Sequence, residues 1–439
     1  MKNEGLSKID YALSLLMPAI LMVMSITHSA IYLYIVLGLA LLRITKPIVI
    51  LPVYFVASLS TEWFGLGTGV SSGRLLSVML IVSLFIDVLV NKKRRKADNS
   101  TLLIIVFSLY CLFSSIFSVT GKMGAFFLIL QGLLVLLLFT IRKNDDVSQL
   151  ANVFFYTAII VLIGVFVTIA TIGLAQFMYA RMGAMEEIET NSNRIAMMMA
   201  QIGAIFGFTF FREGFSVKGT LSIVLYLATL FVIFLTGSRT GLIAVLFSLF
   251  IMFLVMQRAK ARSIVIFGFV LGITLYFAFG YMEEQNFAVM ERFSLQNVVE
   301  SGGSDRANAI SVMWNEVFPE YPIFGVGLGG ENFNEIAKNY GMDHPCHNIF
   351  FDSLCQLGIA GFILFFCVVF YFYRATYRCI TKDDNDLAIL GFFLILTATL
   401  NGIGETVYLE KLFWNAVVIC VIDNSYIRIN TKTQNNGTN

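Results

Sequence analysis

Charge is what this sequence has least of. Acidic and basic residues make up 13% of its 439 residues, where a soluble domain carries about a quarter. With 58% hydrophobic residues and a mean hydropathy of +0.81, the chain has too few polar groups to cover its own surface in water. Lipid is therefore the expected solvent for most of it. Proline is scarce as well, 6 residues against 42 phenylalanines, which suits long helices and argues against a barrel of short alternating strands. The six cysteines (Cys111, Cys346, Cys355, Cys367, Cys379 and Cys420) lie mostly inside or beside apolar runs without paired spacing. They read as buried small hydrophobes, not as a disulfide framework. A net charge of +2, with the basic residues in short loops, gives no footing for nucleic acid. Met1 to Asp10 lead into an apolar run without a small-residue cleavage site, so the first helix is expected to be retained.

What is present is a succession of apolar runs. Those long enough to cross a bilayer lie near 10–28, 74–90, 100–118, 123–141, 150–175, 193–212, 218–236, 241–256, 263–281, 348–372, 387–402 and 410–427. Two shorter runs, 30–42 and 47–61, flank Arg43, Lys46 and Pro47 and can form two tightly turned helices or one broken one. The fold class is thus an all-α polytopic membrane protein of about 12–14 transmembrane helices. Basic clusters favour the cytoplasm. They are Lys92 to Lys96, Arg142–Lys143, Arg212 with Lys218, Arg258–Lys260–Arg262, and Arg374–Arg378–Lys382, and they fall on alternate sides of successive spans.

The same count puts the one long hydrophilic segment, 282–346, outside the cytoplasm. It carries ten acidic residues and only Arg292, Arg306 and Lys338 as basic ones. The division expected is 1–281 for the N-terminal helices, 282–346 for a periplasmic loop, 347–427 for the C-terminal helices and 428–439 for a cytoplasmic tail. A loop this long is usually functional. Asp305 to Phe318, with Ile310, Met313, Trp314 and Val317, reads as an amphipathic helix starting near Ser304.

Topology gathers the chemistry-bearing groups on that outer face. Thr236-Gly237-Ser238-Arg239-Thr240-Gly241 is a short turn that sets a guanidinium at the membrane surface, where it can grip phosphate bidentately. The alternative is a snorkelling interfacial arginine. Arg306 sits on the loop helix beside Asp305, with which a local salt bridge is possible. Tyr321 to Gly330 is glycine-rich, but neither a preceding strand nor a Walker lysine accompanies it, and a tight re-entrant turn suits it better than a nucleotide cradle. Asp343-His344-Pro345-Cys346-His347-Asn348 holds two of the chain's three histidines at a helix start, with Asp352 one turn below. A histidine there can take a proton from a sugar hydroxyl. The competing readings are an inert helix cap and a zinc site from His344, Cys346 and His347, whose spacing is cramped and lacks a fourth ligand. Arg74 and Arg194 start two further outer-facing helices. Arginine kept on the face where the positive-inside rule disfavours it implies an anionic partner.

The Gly-Ser-Arg-Thr-Gly turn, the outer loop with Arg306 and Trp314, Pro322-Ile323-Phe324-Gly325-Val326-Gly327, His347-Asn348, Phe350 to Leu354 and Gly358-Ile359-Ala360-Gly361 together resemble the O-antigen polymerase and O-antigen ligase family, over about residues 190 to 370. The resemblance implies a GT-C-like glycosyltransferase in the bacterial inner membrane, with its active site facing the periplasm. It implies a donor glycan on undecaprenyl pyrophosphate and no metal or other cofactor. Arg239 and Arg306 would bind the pyrophosphate and His347 would act on the acceptor hydroxyl. Arg74 and Arg194 match less distinctive positions and would be accessory contacts; His344, Asn348 and Asp352, read from their places beside His347, are the further candidate substrate contacts. The favoured activity is a polymerase joining lipid-linked repeat units, with a chain-length regulator as a partner implied by resemblance. A ligase passing the glycan to lipid A-core or protein differs only in acceptor. A flippase for the same lipid would place charge near the midplane of its spans, and here the spans are largely free of charge, with Asp87 and Asp352 as exceptions.

Overall fold

The computed structural model describes residues 6–59, 71–90, 99–141, 149–174, 192–256, 304–342, 346–382, 385–405 and 409–422, with Phe177 and scattered positions between 262 and 280. The chain is all-helical there, without a strand among the described residues. The first ten helices are α1 (Lys8–Thr27), α2 (Ile31–Leu41), α3 (Pro47–Leu59), α4 (Ser72–Val90), α5 (Asn99–Ile116), α6 (Gly124–Ile141), α7 (Leu150–Ile172), α8 (Ser192–Glu213), α9 (Val217–Thr236) and α10 (Arg239–Val255). Then come α11 (Ser304–Val312) and α12 (Gly330–Ala337) in the hydrophilic segment, and α13 (Ile349–Lys382), α14 (Asp386–Asn401) and α15 (Lys411–Ile422).

Eight of these helices are long and apolar enough to span a membrane, which makes the chain a polytopic membrane protein as the composition requires. Five others (α2, α3, α10, α14 and α15) are apolar but shorter. The stretch around Arg43 to Lys46 separates two helices, not the halves of one. At ~1.5 Å per residue, the 11 residues of α2 reach only about half of a ~30 Å hydrocarbon core. Two boundaries differ from the sequence expectation. The helix expected at 348–372 runs on to Lys382, so Arg374 and Arg378 lie within α13 and not in a following loop. Of the run at 263–281 only scattered positions, all helical, are described, and the tail beyond 422 lies outside the described residues.

In lipid, apolar burial gives helices little reason to associate, so close packing and polar contacts hold them together. The most enclosed span is α8, packed against α7, α9, α10 and α14. Its Gly203 and Gly207 leave room for Val245, Tyr226 and Leu249. The bundle has two polar ends. At one, buried Asp10 on α1 takes Arg43 (2.9 Å) and Lys46 (2.5 Å). At the same end Arg212 on α8 pairs with Asp386 (2.5 Å) and Lys218 with Glu213 (3.1 Å). At the other end lie the starts of α4, α8, α10, α13 and α15.

Over that second end sits a small second core. Helix α11 continues through a π turn, Met313–Val317, into Phe318–Glu320. Ala309, Met313 and Val317, four residues apart, bury one face with Val326, Phe333, Ala337, Cys346 and Cys355. The amphipathic helix expected from Ser304 is present, and Trp314 on its other face is half exposed, stacked on Phe318 at 5.3 Å.

The glycine-rich run plugs a break in α13. Gly358 is non-helical (φ 63°), which frees carbonyls above it. Val326 N–H donates to Cys355 O (3.0 Å), Gly327 N–H to Gln356 O (3.0 Å) and Gly329 N–H to Gln356 Oε1 (2.9 Å). In return Ile359 N–H donates to Pro322 O (2.9 Å). A Cβ on Gly358 would meet Ile323 O at 2.3 Å, and one on Gly325 would meet Gln356 at 2.5 Å. Glycine is required at both by close approach as well as by positive φ. The run is a tight turn docked on a helix, and the amides of Gly325, Val326, Gly327 and Gly329 are spent on protein.

Candidate active site

The arginine of the Gly-Ser-Arg-Thr-Gly turn owes its place to capping at both sides. Gly237, left-handed at φ 61°, ends α9. Ser238 then caps α10, its hydroxyl accepting from Gly241 N–H (3.3 Å). Arg239 is therefore the first residue of α10, where the helix dipole adds partial positive charge to its guanidinium. It is half-buried and makes no ion pair among the described residues. A Cβ on Gly241 would lie 2.7 Å from Ala196 Cβ, so the starts of α10 and α8 touch.

His347 sits in the turn before α13 in a left-handed conformation, φ 52°, uncommon for a residue with a Cβ. Asp352 enforces it. Its buried carboxylate accepts from Cys346 N–H (3.0 Å) and Asn348 N–H (2.9 Å), on either side of His347. Asn348 caps α13, its Oδ1 accepting from Phe350 N–H (3.0 Å) while its Nδ2 donates to Ile403 O (3.0 Å). Ile349 N–H donates to Gly402 O (2.6 Å). Asp352 and Asn348 thus act through backbone, holding His347 against the turn between α14 and α15.

That turn supplies a residue the sequence reading missed. Glu405 Oε2 lies 3.3 Å from His347 Nδ1, an ion-pair contact and not an aligned hydrogen bond. Glu405 Oε1 accepts from Asn193 Nδ2 at the start of α8 (2.5 Å). Thr240, next to Arg239, packs against Gly404, where a Cβ would meet its hydroxyl. The histidine side chain is 36% exposed and the glutamate 14%, so the imidazole stays accessible while its partner is enclosed. Glu405 raises the His347 pKa above its ordinary 6.5; burial and Arg306 oppose that, and Asp352 adds to it. Burial would raise the Glu405 carboxyl, but His347, Asn193 and Arg306 together bring it below the usual carboxylate value. Half-buried Arg306 acts on both members of the pair without joining either by a close contact.

The remaining expected residues divide. Arg194 is committed within the chain, to Glu410 at 2.8 Å. Arg74 is exposed at the start of α4 and acts electrostatically on Lys411. His344 and the side chain of Asp305 lie outside the described residues. Cys346 is buried, its Sγ 3.6 Å from Ala309 O, and burial pushes its thiol well above the ordinary value; it is an apolar plug and not a thiolate. The signal for Glu405 was faint but present: after Asp386 the only charged residues before Ile422 are Glu405, Glu410 and Lys411, all on this one turn.

The arrangement can do two things. An accessible imidazole with one nitrogen held by a carboxylate can accept a proton at the other. Two cations without carboxylate partners among the described residues, one at a helix N-terminus, can stabilise a developing phosphate charge. A comparison with protein families matches the O-Antigen ligase model over residues 224–366, and this supports the resemblance to the O-antigen polymerase and ligase family. The matched segment contains Arg239, Arg306, the docked glycine run, His347 and Asp352, whereas Arg74, Arg194, Glu405 and Lys411 lie outside it. A comparison with curated proteins returned no match.

Proposed function

Proceeding from that family match, we propose that this chain is a GT-C-type glycosyltransferase of the bacterial inner membrane, joining undecaprenyl-pyrophosphate-linked repeat units on the periplasmic side without a metal. The observation that carries the proposal is His347, fixed by Asp352, backed by Glu405 and flanked by Arg306 at the end of the bundle where Arg239 begins α10. The acceptor hydroxyl oxygen attacks the anomeric carbon as its proton passes to His347 Nε2. The bond from that carbon to the lipid pyrophosphate breaks, and the leaving charge falls to Arg239 and Arg306. Glu405 stabilises the imidazolium that forms. Attack opposite the leaving group inverts the anomeric centre; a product that keeps the donor's configuration would refute this step.

A ligase is the second reading, because the matching family model carries that description. Complementation of a glycan-deficient strain separates the two. The proposal expects wild type to restore long surface chains and Arg239→Ala and His347→Ala, present at equal membrane levels, to fail. In the mutants, single repeats still attached to lipid A-core mean a polymerase, and long glycan held on its lipid carrier means a ligase. Full chains from both variants would overturn the catalytic assignment.

A further inference from the structure

A second cluster of cations lies along the same end, outside the matched segment. From His347 a chain of contacts runs through Glu405 to Asn193, and from neighbouring Arg194 to Glu410, ending at Lys411, the first residue of α15. Lys411 is 4% exposed, and its Nζ is buried without a hydrogen-bond partner among the described residues. The ammonium lies 3.6 Å from where a Cβ of Gly73 would be, in the first turn of α4. Ser72 beside it is fully buried, its hydroxyl also unpartnered, and Asn415, one turn below Lys411, keeps Oδ1 unpartnered while its Nδ2 bonds Ser58. Arg74 acts on Lys411 from the rim; among the described residues the carboxylate acting on it is Glu410, which is paired with Arg194.

Among the described residues, a buried ammonium reaching the N-terminal turn of α4 and a guanidinium on that turn leave an excess of positive charge where desolvation makes unpaired charge costly. Structures keep such an arrangement when something anionic completes it. We infer that Lys411, Arg74 and Ser72, at the meeting N-termini of α4 and α15, form a phosphate-binding subsite separate from the Arg239 and Arg306 pair. Donated hydrogen bonds from Lys411 Nζ and Ser72 Oγ and the two helix starts suit a tetrahedral oxyanion. Its phosphate comes either from a second lipid-pyrophosphate substrate, which rests on the function proposed above, or from the head group of an anionic bilayer lipid, which does not.

The test uses the full chain in an uncharged glycoside detergent, with Arg239→Ala and Arg306→Ala as background, so that its result does not depend on transfer activity. Inorganic pyrophosphate, against sodium chloride of equal ionic strength, is expected to raise the melting temperature by about 2 °C or more. Adding Lys411→Met should abolish that rise, and Arg74→Gln should reduce it. Because Met removes an unpaired buried charge, that variant should melt at or above the background without ligand, so a lost response is not a lost fold. Phosphatidylglycerol replaces pyrophosphate in a parallel arm. A Lys411-dependent rise with pyrophosphate identifies a pyrophosphate occupant, and one with phosphatidylglycerol alone identifies a lipid head group. No rise with either probe, or a rise that survives Lys411→Met, overturns the subsite.

Discussion

The two ends of the bundle treat cations differently. At one, Arg43 and Lys46 share buried Asp10, Arg212 has Asp386 and Lys218 has Glu213; each charge is answered by a carboxylate within reach. At the other, among the described residues, Arg194 has such a partner in Glu410. Arg239, Arg306 and Arg74 have none among the described residues, and the carboxylates there serve other groups: Asp352 the backbone, Glu405 His347 and Asn193. Structural ion pairs and ligand sites draw on the same residue types. What separates them is whether the charge balances locally. A sequence shows the cations at both ends and says nothing of that balance.

The largest expected contrast comes from removing one residue at each end. His347→Ala should lower glycan transfer by about a thousandfold, and Arg239→Ala by a comparable factor, at unchanged membrane abundance. Arg212→Ala should leave the rate per folded molecule alone and lower abundance or melting temperature instead. Transfer assayed in membranes normalised to protein decides between them; a rate loss from Arg212→Ala equal to that from Arg239→Ala would erase the distinction.

Glu405→Gln is expected to reduce transfer by about tenfold or more and to move its pH dependence. A base must be neutral to act, and Glu405 holds the His347 pKa above 6.5. The rising limb of the rate in wild type therefore lies above that value, and in Glu405→Gln it shifts to lower pH. An unmoved limb would mean that His347 is not the titrating base. The corresponding stability term has a fixed sign: protonated His347 stabilises this turn fully below about 6.5, and the contribution is lost as pH rises through the raised value.

Gly358→Ala strains a residue held at φ 63° against Ile323 O and should cost about 2 kcal/mol or more, read as a lower melting temperature. Arg194→Met is expected to change transfer only a few-fold, since a half-exposed pair contributes up to about 1 kcal/mol. A loss as large as that of Arg239→Ala would show that Arg194 leaves Glu410 to hold substrate. Smallest of all, Lys218→Ala at the paired end should shift stability by no more than about 0.5 kcal/mol and transfer not at all.

The spans were legible because lipid allows few solutions: a long apolar run must be a helix. Arg239 was legible for a similar reason, since Gly237 and Ser238 spell out a helix end and a helix start. Glu405 was not, because its pairing with His347 crosses 58 positions and depends on how α13, α14 and α8 pack. Asp352 was read as a substrate contact from its place one turn into a helix; its two backbone acceptances require the left-handed turn at His347, which no local pattern announces. Gly358 was legible as part of the Gly358-Ile359-Ala360-Gly361 motif, but that the glycine run from Tyr321 to Gly330 docks into the break it makes in α13 was not, because the pairing joins segments about thirty positions apart.

That opening has a mechanical consequence. Because Val326, Gly327 and Gly329 are bonded into the gap, and Cys346 and Cys355 share a core with Ala309, Met313 and Val317, the first turns of α13 are welded to the segment above them. Below Gly358 the helix belongs to the bundle. His347 thus sits at a seam, tied to the segment above through Cys346 and to the bundle through Asn348, Ile349 and Glu405, so a shift of either body would move the imidazole against the other.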